Sequence, residues 1–197
     1  DVRLCMDGLS AWFSLIISLV FSLGAFYGWG YMKHYLDKKE HIGMHIFAYL
    51  MAFLSMQALC VIQHSLGFLI AWEIMALSSF VLIIFESWKE EVVKAGINFF
   101  IQSHLSVILL TVGFLMMSAK TGSFDFESMR ALSAQEATPA YILLFLGFAV
   151  KAGLLPFHTW LPHAHPAAPA HISGVMSGVI IKIGIFGMLR MLSFTQV

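Results

Sequence analysis

The sequence predicts an all-α fold, a polytopic bundle of six transmembrane helices. Of the 197 residues, 59% are hydrophobic and 11% are charged, and the mean hydropathy is +0.85. A soluble domain carries about 25% charged residues, so a chain of this size lacks the charge to cover its surface in water. The apolar runs are long and show no short alternating pattern, which argues against β-strands. We therefore expect lipid to surround this chain.

Six apolar segments are long enough to cross a bilayer core of ~30 Å, which takes roughly 20 helical residues. They are predicted at about 9–32, 44–62, 65–85, 92–117, 140–155 and 170–192. The fifth segment meets Pro156, which removes a backbone hydrogen bond and clashes with the preceding turn. We expect a broken helix there. Such a break is tolerated in a membrane only where the freed carbonyls meet protein or water, so water is expected near it.

The connections between the segments predict the orientation of the bundle. The first, third and fifth connections share one side, which carries Lys33, Lys38, Lys39, Lys89 and Lys94. The other side carries Arg3, Lys120, Arg130 and Arg190. Positive charge favours the cytoplasmic side, so the lysine-rich connections are assigned there. The formal net charge is zero, and nothing indicates nucleic acid as a partner.

We interpret residues 1–197 as one transmembrane domain fragment. The chain begins at Asp1 without an initiator methionine or a signal peptide, and it stops abruptly at Val197, so we expect a piece of a longer membrane protein. Cys5 and Cys60 are far apart and show no metal-ligand spacing. Flavin motifs, iron–sulfur ligand sets and nickel ligand sets are missing from the sequence, and no cofactor is predicted.

Three ionisable residues lie deep inside the predicted crossings, at Glu73, Lys151 and Lys182. Each charge costs roughly 2.5–3.5 kcal/mol at a helix centre, so such residues face a cavity or a partner and mark function by default. Snorkelling to the interface is the alternative for the two lysines. It is disfavoured because both lie far from the ends of their segments.

Glu73 and Lys151 form the predicted proton-handling pair. Burial disfavours the charged form of each group alone, and proximity favours the charged form of both. Moving the two apart therefore lets the amine release a proton. The alternative is a static ion pair that joins the third and fifth crossings, which is disfavoured because buried pairs are poor stabilisers.

Histidines supply further candidate proton carriers. His104 lies in the fourth crossing and suits a relay between the carboxylate and the amine, although a histidine that is merely hydrogen-bonded in the bundle is an equal alternative. His158, His163, His165 and His171 follow the break. Their spacing is not a zinc signature, so a proton-conducting mouth is favoured over a metal site, with His171 nearest to the start of the sixth crossing.

Two pairs of glycines with small-residue spacing, Gly174/Gly178 and Gly184/Gly187, are interpreted as helix packing positions without a functional role.

The stretch "FAVKAGLLPFHTWLPHAHPAAPAHISGVMSGVIIKIGIFGMLR" strongly resembles the core of the antiporter-like, proton-translocating subunits. These occur in respiratory complex I, in multisubunit sodium/proton antiporters and in energy-converting membrane-bound hydrogenases. "AWEIMALSSFVLI" and "MDGLSAWF" resemble two further helices of the family. The stretch "HPAAPAHISGVMSGVIIKIGIFGMLR" is most similar to the hydrogenase and formate hydrogenlyase branch of the family.

The resemblance implies about fourteen helices in the full subunit, arranged as two inverted repeats, of which this chain resembles helices three to eight. It implies that Glu73 is the helix-five glutamate, Lys151 the lysine of the broken helix seven, and Lys182 the helix-eight lysine. It also implies a non-catalytic subunit in the inner (plasma) membrane, beside other membrane subunits and a peripheral redox module. Protons are expected to enter near 158–171, reach Lys151 through buried water, and pass to Lys182.

Three other functions stay open from the sequence. A cation/proton antiporter subunit would use the same residues, but sodium prefers several oxygen ligands and Glu73 is the only deep carboxylate. A static membrane anchor would tolerate neutral residues at Lys151 and Lys182. A membrane metalloenzyme would use the histidine-rich connection.

Overall fold

The computed structural model describes residues 3–38 and 41–194. Asp1, Lys39 and Val197, which entered the expectations about the chain ends and the orientation, lie outside the described residues. The helices, in chain order, are α1 Gly8–Met32, α2 Ile42–Val61, α3 Ser65–Ile83, α4 Glu90–Thr121, α5 Phe126–Met129, α6 Ala134–Ala152, α7 Leu161–Ala167, α8 Ala170–Val175 and α9 Lys182–Leu192. Within the described ranges the chain forms no strand, only isolated bridges, so the all-α prediction is confirmed.

Six helical spans are long and apolar enough to cross a bilayer, and this is a multi-pass membrane protein. The spans are Gly8–Tyr35, Ile42–Val61, Ser65–Glu86, Glu90–Thr121, Ala134–Ala167 and Ala170–Leu192. Each coincides with one predicted segment. The structure lengthens the first, fourth and fifth, because polar residues at helix ends join the helix although they carry no hydropathy signal.

Local signals fix the helix ends that the hydropathy pattern missed. α6 begins at Ala134, before the predicted start, because Ser133 and Glu136 form a capping box. α4 runs on to Thr121 and closes at Gly122, whose φ of 70° is the left-handed conformation that glycine adopts at helix ends. The connection between them, predicted as a loop, contains the short helix α5.

The fifth crossing is broken, as predicted, but the break begins before Pro156. α6 ends at Ala152, and Gly153 adopts a φ of 63°. A 3₁₀ turn at Phe157–Trp160 then leads into α7. The Trp160 indole N–H donates to the Val150 carbonyl at 2.9 Å, so a protein group satisfies one of the carbonyls that the break frees.

The sixth crossing is irregular too, which was not expected. A π-helical segment, Met176–Ile180, separates α8 from α9. No proline marks this place, and one extra residue in a turn leaves the apolar pattern unchanged. Such π segments inside helices occur frequently at functional sites.

α9 is fixed to the start of α1 by Arg190, which is buried with 2% exposure. Its guanidinium donates to Asp7 at 2.5 Å and 3.2 Å, to the Ser10 hydroxyl, and to the Cys60 carbonyl at 3.2 Å. Burial raises the pKa of the Asp7 carboxyl, but hydrogen bonds from Arg190 and the Ser10 backbone outweigh this, and the pKa lies below its usual value. Arg190 therefore joins three helices, although the sequence placed it among the loop charges.

Replacing Asp7 with asparagine will lower the free energy of unfolding by about 2 kcal/mol at neutral pH, because a buried guanidinium loses its carboxylate. The matched control is Glu127→Gln, which breaks the 2.7 Å ion pair with Arg3, where both side chains are exposed; a loss of at most about 1 kcal/mol is expected. Denaturant titration in detergent micelles measures both.

The Asp7 effect has a defined pH dependence. Because its folded-state pKa is lowered, the stabilisation is complete above the unfolded value of about 4 and is lost as the pH falls through the lower, folded value. Equal losses for Asp7→Asn and Glu127→Gln would contradict this account.

Candidate functional site

Lys151 lies in the last turn of α6, directly before the break. Its side chain is 1% exposed, and its amine has no hydrogen-bond partner within the described part of the chain. The amine lies over the face of the Phe99 ring on α4, with the nitrogen 4.5 Å from the ring centroid. A cation over an aromatic face gains about 0.5–2 kcal/mol, which is well short of the several kcal/mol that burying an ion costs. The ring contact alone therefore does not offset the cost of burying the ammonium form.

Glu73 on α3 contacts His104 on α4, with 3.0 Å between Oε1 and Nε2. The other ring nitrogen of His104 lies 3.0 Å from the Phe100 carbonyl, which can only accept, so Nδ1 carries a hydrogen. The contact at Nε2 then needs one more proton, on either the imidazole or the carboxyl group. The Glu73–His104 pair thus holds one exchangeable proton.

The direct contact of Glu73 is with His104, and its carboxylate also acts on the Lys151 amine through its charge. No hydrogen bond joins Glu73 to Lys151 within the described residues, and the Glu73 Oε2 atom is buried without a partner. His104, the candidate for a relay between the carboxylate and the amine, is thus the direct partner of Glu73. The reason is positional, since Glu73 and His104 face each other across the α3–α4 contact.

Lys182 has an exposed side chain, and it faces a cavity as expected of an ionisable residue in a crossing. Its amine donates a hydrogen bond to the Ser177 carbonyl, which belongs to the π segment. It borders a cavity of about 150 Å³ between α1 and α9, which Phe13 and Ile17 also line. Hydropathy gives the depth of a residue along its helix but not the direction in which it faces.

The break carries His158, whose Nδ1 is buried without a partner in the described chain. Beside it, Gln102 on α4 donates to the Thr159 hydroxyl at 2.8 Å and to Asn98 at 3.2 Å. Asn98 in turn lines a cavity of about 660 Å³ that also contains Glu91 and His163. Two hydrogen-bonded side chains on α4, Asn98 and Gln102, therefore link a cavity with charged lining residues to the broken helix.

His171 on α8 pairs with His45 on α2, with 2.9 Å between the two Nε2 atoms. The sequence interpretation missed His45 because it stands at the edge of the polar hinge between the first two crossings. The available signal was its position just inside the second predicted segment, where an ionisable residue indicates function.

The site residues thus fall into separate groups. Glu73 contacts His104. Lys151 and His158 flank the break, and their buried nitrogens described above have no hydrogen-bond partner in the described chain. Lys182 faces outward. Within the described residues, no group of three or more histidine, cysteine or acidic side chains is placed to hold a metal ion.

The family described as "NADH:quinone oxidoreductase/Mrp antiporter, TM" matches residues 62–197. The chain is 42% identical to Hydrogenase-4 component B of Escherichia coli (strain K12), over 96% of the chain and 28% of that protein. It is 34% identical to the putative antiporter subunit mnhA2 of Staphylococcus saprophyticus, over 98% of the chain and 24% of that protein. The chain spans less than a third of the length of either relative.

A solved structure shares the fold. A chain in the structure of the membrane-bound sulfane sulfur reductase (MBS), an archaeal respiratory membrane complex, superposes with a TM-score of 0.89. The match covers 100% of this chain and 40% of that one, at 22% sequence identity. At this identity the likeness extends to the fold alone.

Proposed function

Because the chain belongs to the NADH:quinone oxidoreductase/Mrp antiporter transmembrane family, we propose that it is the proton-translocating region of a membrane subunit in a redox-driven respiratory or hydrogenase complex. The relative at 42% identity is named as a component of a hydrogenase. The chemistry of oxidation and reduction is assigned to other subunits. This subunit moves protons and is not itself catalytic.

The observation that carries the proposal is the buried, unpartnered amine of Lys151 at the end of a half-helix. Burial disfavours the charged form of this amine, whereas the Phe99 ring and the negative charge of Glu73 favour it. The amine therefore binds and releases a proton in response to a single charge that approaches or leaves. The broken backbone after Gly153 gives the neighbouring segment freedom to move.

The Glu73–His104 pair is proposed as the gate. While Glu73 is bound to His104, its charge is neutralised by the shared proton, and the Lys151 amine is favoured in its neutral form. Once the pair gives up that proton, the carboxylate becomes a free negative charge and favours the ammonium form of Lys151. Proton binding at one group and release at the other are then coupled by electrostatics.

The direction of travel follows from the cavities. Protons are taken up at the 660 Å³ cavity that Asn98 and His163 line, pass Gln102, Thr159 and His158 through water, and reach Lys151. Lys182, which faces outward, passes them to the rest of the subunit. The lysine-rich end is placed in the cytoplasm, the complex in the inner (plasma) membrane, and a peripheral redox module beside further membrane subunits.

The test uses inverted membrane vesicles that contain the full complex, driven by its own electron donor. We expect the vesicle interior to acidify equally in sodium-free and sodium-containing buffer. Glu73→Gln will reduce the initial rate of acidification by at least about tenfold, because a positioned group that transfers protons contributes ~10²–10⁴-fold. Electron transfer is measured in the same vesicles as the control for assembly.

Two outcomes would favour other functions. Transport that requires sodium and disappears with Glu73→Gln would identify a cation/proton antiporter, as the name of the mnhA2 relative suggests. Unchanged acidification in Glu73→Gln, with intact electron transfer, would favour a static membrane anchor and contradict the proposal.

A further inference from the structure

His45 and His171 form a second group of buried ionisable side chains, which the gate above does not use. They lie on α2 and α8, 126 positions apart in the sequence, and are 4% and 5% exposed. Their Nε2 atoms are 2.9 Å apart. Both Nδ1 atoms are buried without a hydrogen-bond partner among the described residues. A pair that held the helices together for structural reasons alone would leave two buried polar atoms unsatisfied, which is costly.

The geometry fixes where the hydrogens are. Two ring nitrogens at hydrogen-bond distance share one hydrogen, so one imidazole donates from Nε2 and keeps a lone pair on Nδ1. The other ring accepts at Nε2 and carries its hydrogen on Nδ1. The pair therefore presents one empty and one occupied Nδ1.

We infer that the His45–His171 pair relays protons across the α2–α8 contact, as a second conducting element in the proton translocation proposed above, on which this inference rests. A proton binds the empty Nδ1 of one ring. The bridging hydrogen crosses to the Nε2 of the other ring, and that ring releases the hydrogen on its Nδ1. One proton enters and one leaves, the net charge is unchanged, and both rings exchange tautomers, which ring rotation restores.

Polar side chains extend from the lysine-rich end of the bundle toward the His45–His171 pair. Glu86 accepts a hydrogen bond of 2.7 Å from the Tyr35 hydroxyl, which lies 3.4 Å from that of Tyr31. The Tyr31 ring packs 5.5 Å from the ring of His171. Glu86 also lines the 660 Å³ cavity, so ionisable and hydroxyl groups extend from that cavity to the aromatic ring that packs against His171.

The other residues around the His45–His171 pair are aromatic, or they line the adjoining cavity. The Phe85 ring packs against His45 at 4.7 Å, and the Tyr49 ring lies 6.4 Å from His171. The Tyr49 hydroxyl donates to the Phe21 carbonyl at 2.6 Å. Lys33 is the charged residue in the lining of the adjoining cavity of about 480 Å³. No carboxylate is in contact with either ring in the described chain. Each imidazole therefore has the other imidazole as its hydrogen-bond partner.

Gly28 on α1 gives His171 its space. A Cβ at this glycine would lie 2.9 Å from the His171 Cδ2 atom. Gly28→Ala therefore displaces the ring without removing any ionisable group. Gly30, two residues further along α1, has nothing within 4 Å of a Cβ, so Gly30→Ala is the matched control for a glycine lost from the same helix.

The first test asks whether the shared hydrogen exists. In the full-length subunit labelled with ¹⁵N-histidine, we expect a scalar coupling through the hydrogen bond between the His45 and His171 Nε2 atoms. It will disappear in His45→Gln, in His171→Gln and in Gly28→Ala, and will persist in Gly30→Ala. If the wild-type protein shows no coupling, the inference is overturned.

The second test measures acidification of inverted vesicles containing the full complex. Glutamine keeps a donor and an acceptor but cannot exchange tautomers, so His45→Gln and His171→Gln will each reduce the rate by at least about tenfold. Gly28→Ala will do the same, while Gly30→Ala will match the wild type. If one histidine variant fails to accumulate, the other and Gly28→Ala decide the matter.

Comparison with Lys151→Met separates this inference from the proposed function. If Lys151→Met stops acidification while His45→Gln, His171→Gln and Gly28→Ala pump at the wild-type rate, the relay is overturned and the proposed function stands. If Lys151→Met pumps normally, the proposed function fails, whatever the histidine variants do.

Discussion

Lys151→Met will abolish proton translocation while it stabilises the protein. Methionine matches the length of lysine but cannot bind a proton, so the rate of acidification in inverted vesicles is expected to fall by roughly 10²-fold or more. The free energy of unfolding is expected to rise by about 1–3 kcal/mol, because an unpartnered buried amine is replaced by an apolar group of similar volume. Denaturant titration in detergent measures the second effect.

The opposite signs of these two effects distinguish a functional lysine from a structural one. A lysine that held the bundle together would lose stability on substitution. Lys120→Met is the control, because Lys120 is exposed and donates to the Glu136 carbonyl at 3.0 Å; a stability change of at most about 1 kcal/mol and normal pumping are expected. A destabilised Lys151→Met, or one that pumps normally, would contradict the role assigned to the amine.

Lys151 was identified from the sequence because its signals are local. A charge within an apolar run and a proline five positions later are visible without any knowledge of neighbouring helices. The same holds for the six crossings, since the length and apolarity of a segment depend on that segment alone. Hydropathy alone did not predict the end of α4 or the start of α6, because capping residues determine where these helices end and begin.

The partners of the charged residues were not predictable in this way. Which side chains meet depends on how each helix is rotated about its axis, and that rotation is set by packing between helices. Glu73 therefore makes its direct contact with His104, and Lys182 is exposed beside the cavity between α1 and α9. The contact between His45 and His171 has the same cause, because their helices are distant in sequence.

The two glycine pairs show which features of helix packing the sequence predicts and which it does not. Their spacing predicted close packing, and three of the four glycines do approach another helix, whereas a Cβ at Gly174 would meet nothing within 4 Å. At Gly178 and Gly187 the nearest atoms belong to the Val20 and Phe148 side chains, which have some freedom to move. At Gly184 the nearest atoms are backbone.

Gly184→Ala will separate α9 from α6 at the level of Lys151. The added Cβ would lie 2.7 Å from the Phe148 carbonyl oxygen and 2.8 Å from the Ala152 backbone nitrogen. Backbone atoms of a helix cannot yield as a flexible side chain does, so the two helices must move apart. Overpacking of this kind costs about 1–3 kcal/mol, which denaturant titration will show as a lower free energy of unfolding.

The same substitution tests whether pumping depends on the position of the Lys151 amine. Ala152 follows the lysine directly, so a shift of α6 changes the position of the amine relative to Phe99, and acidification is expected to fall by at least about tenfold although every ionisable group remains. Gly174→Ala is the matched control, with stability unchanged or raised by up to about 1 kcal/mol from the better helix propensity of alanine and with normal pumping. A Gly184→Ala protein that is destabilised but pumps normally would show that translocation tolerates displacement of α6, and the tight geometry around Lys151 would then have no part in the mechanism.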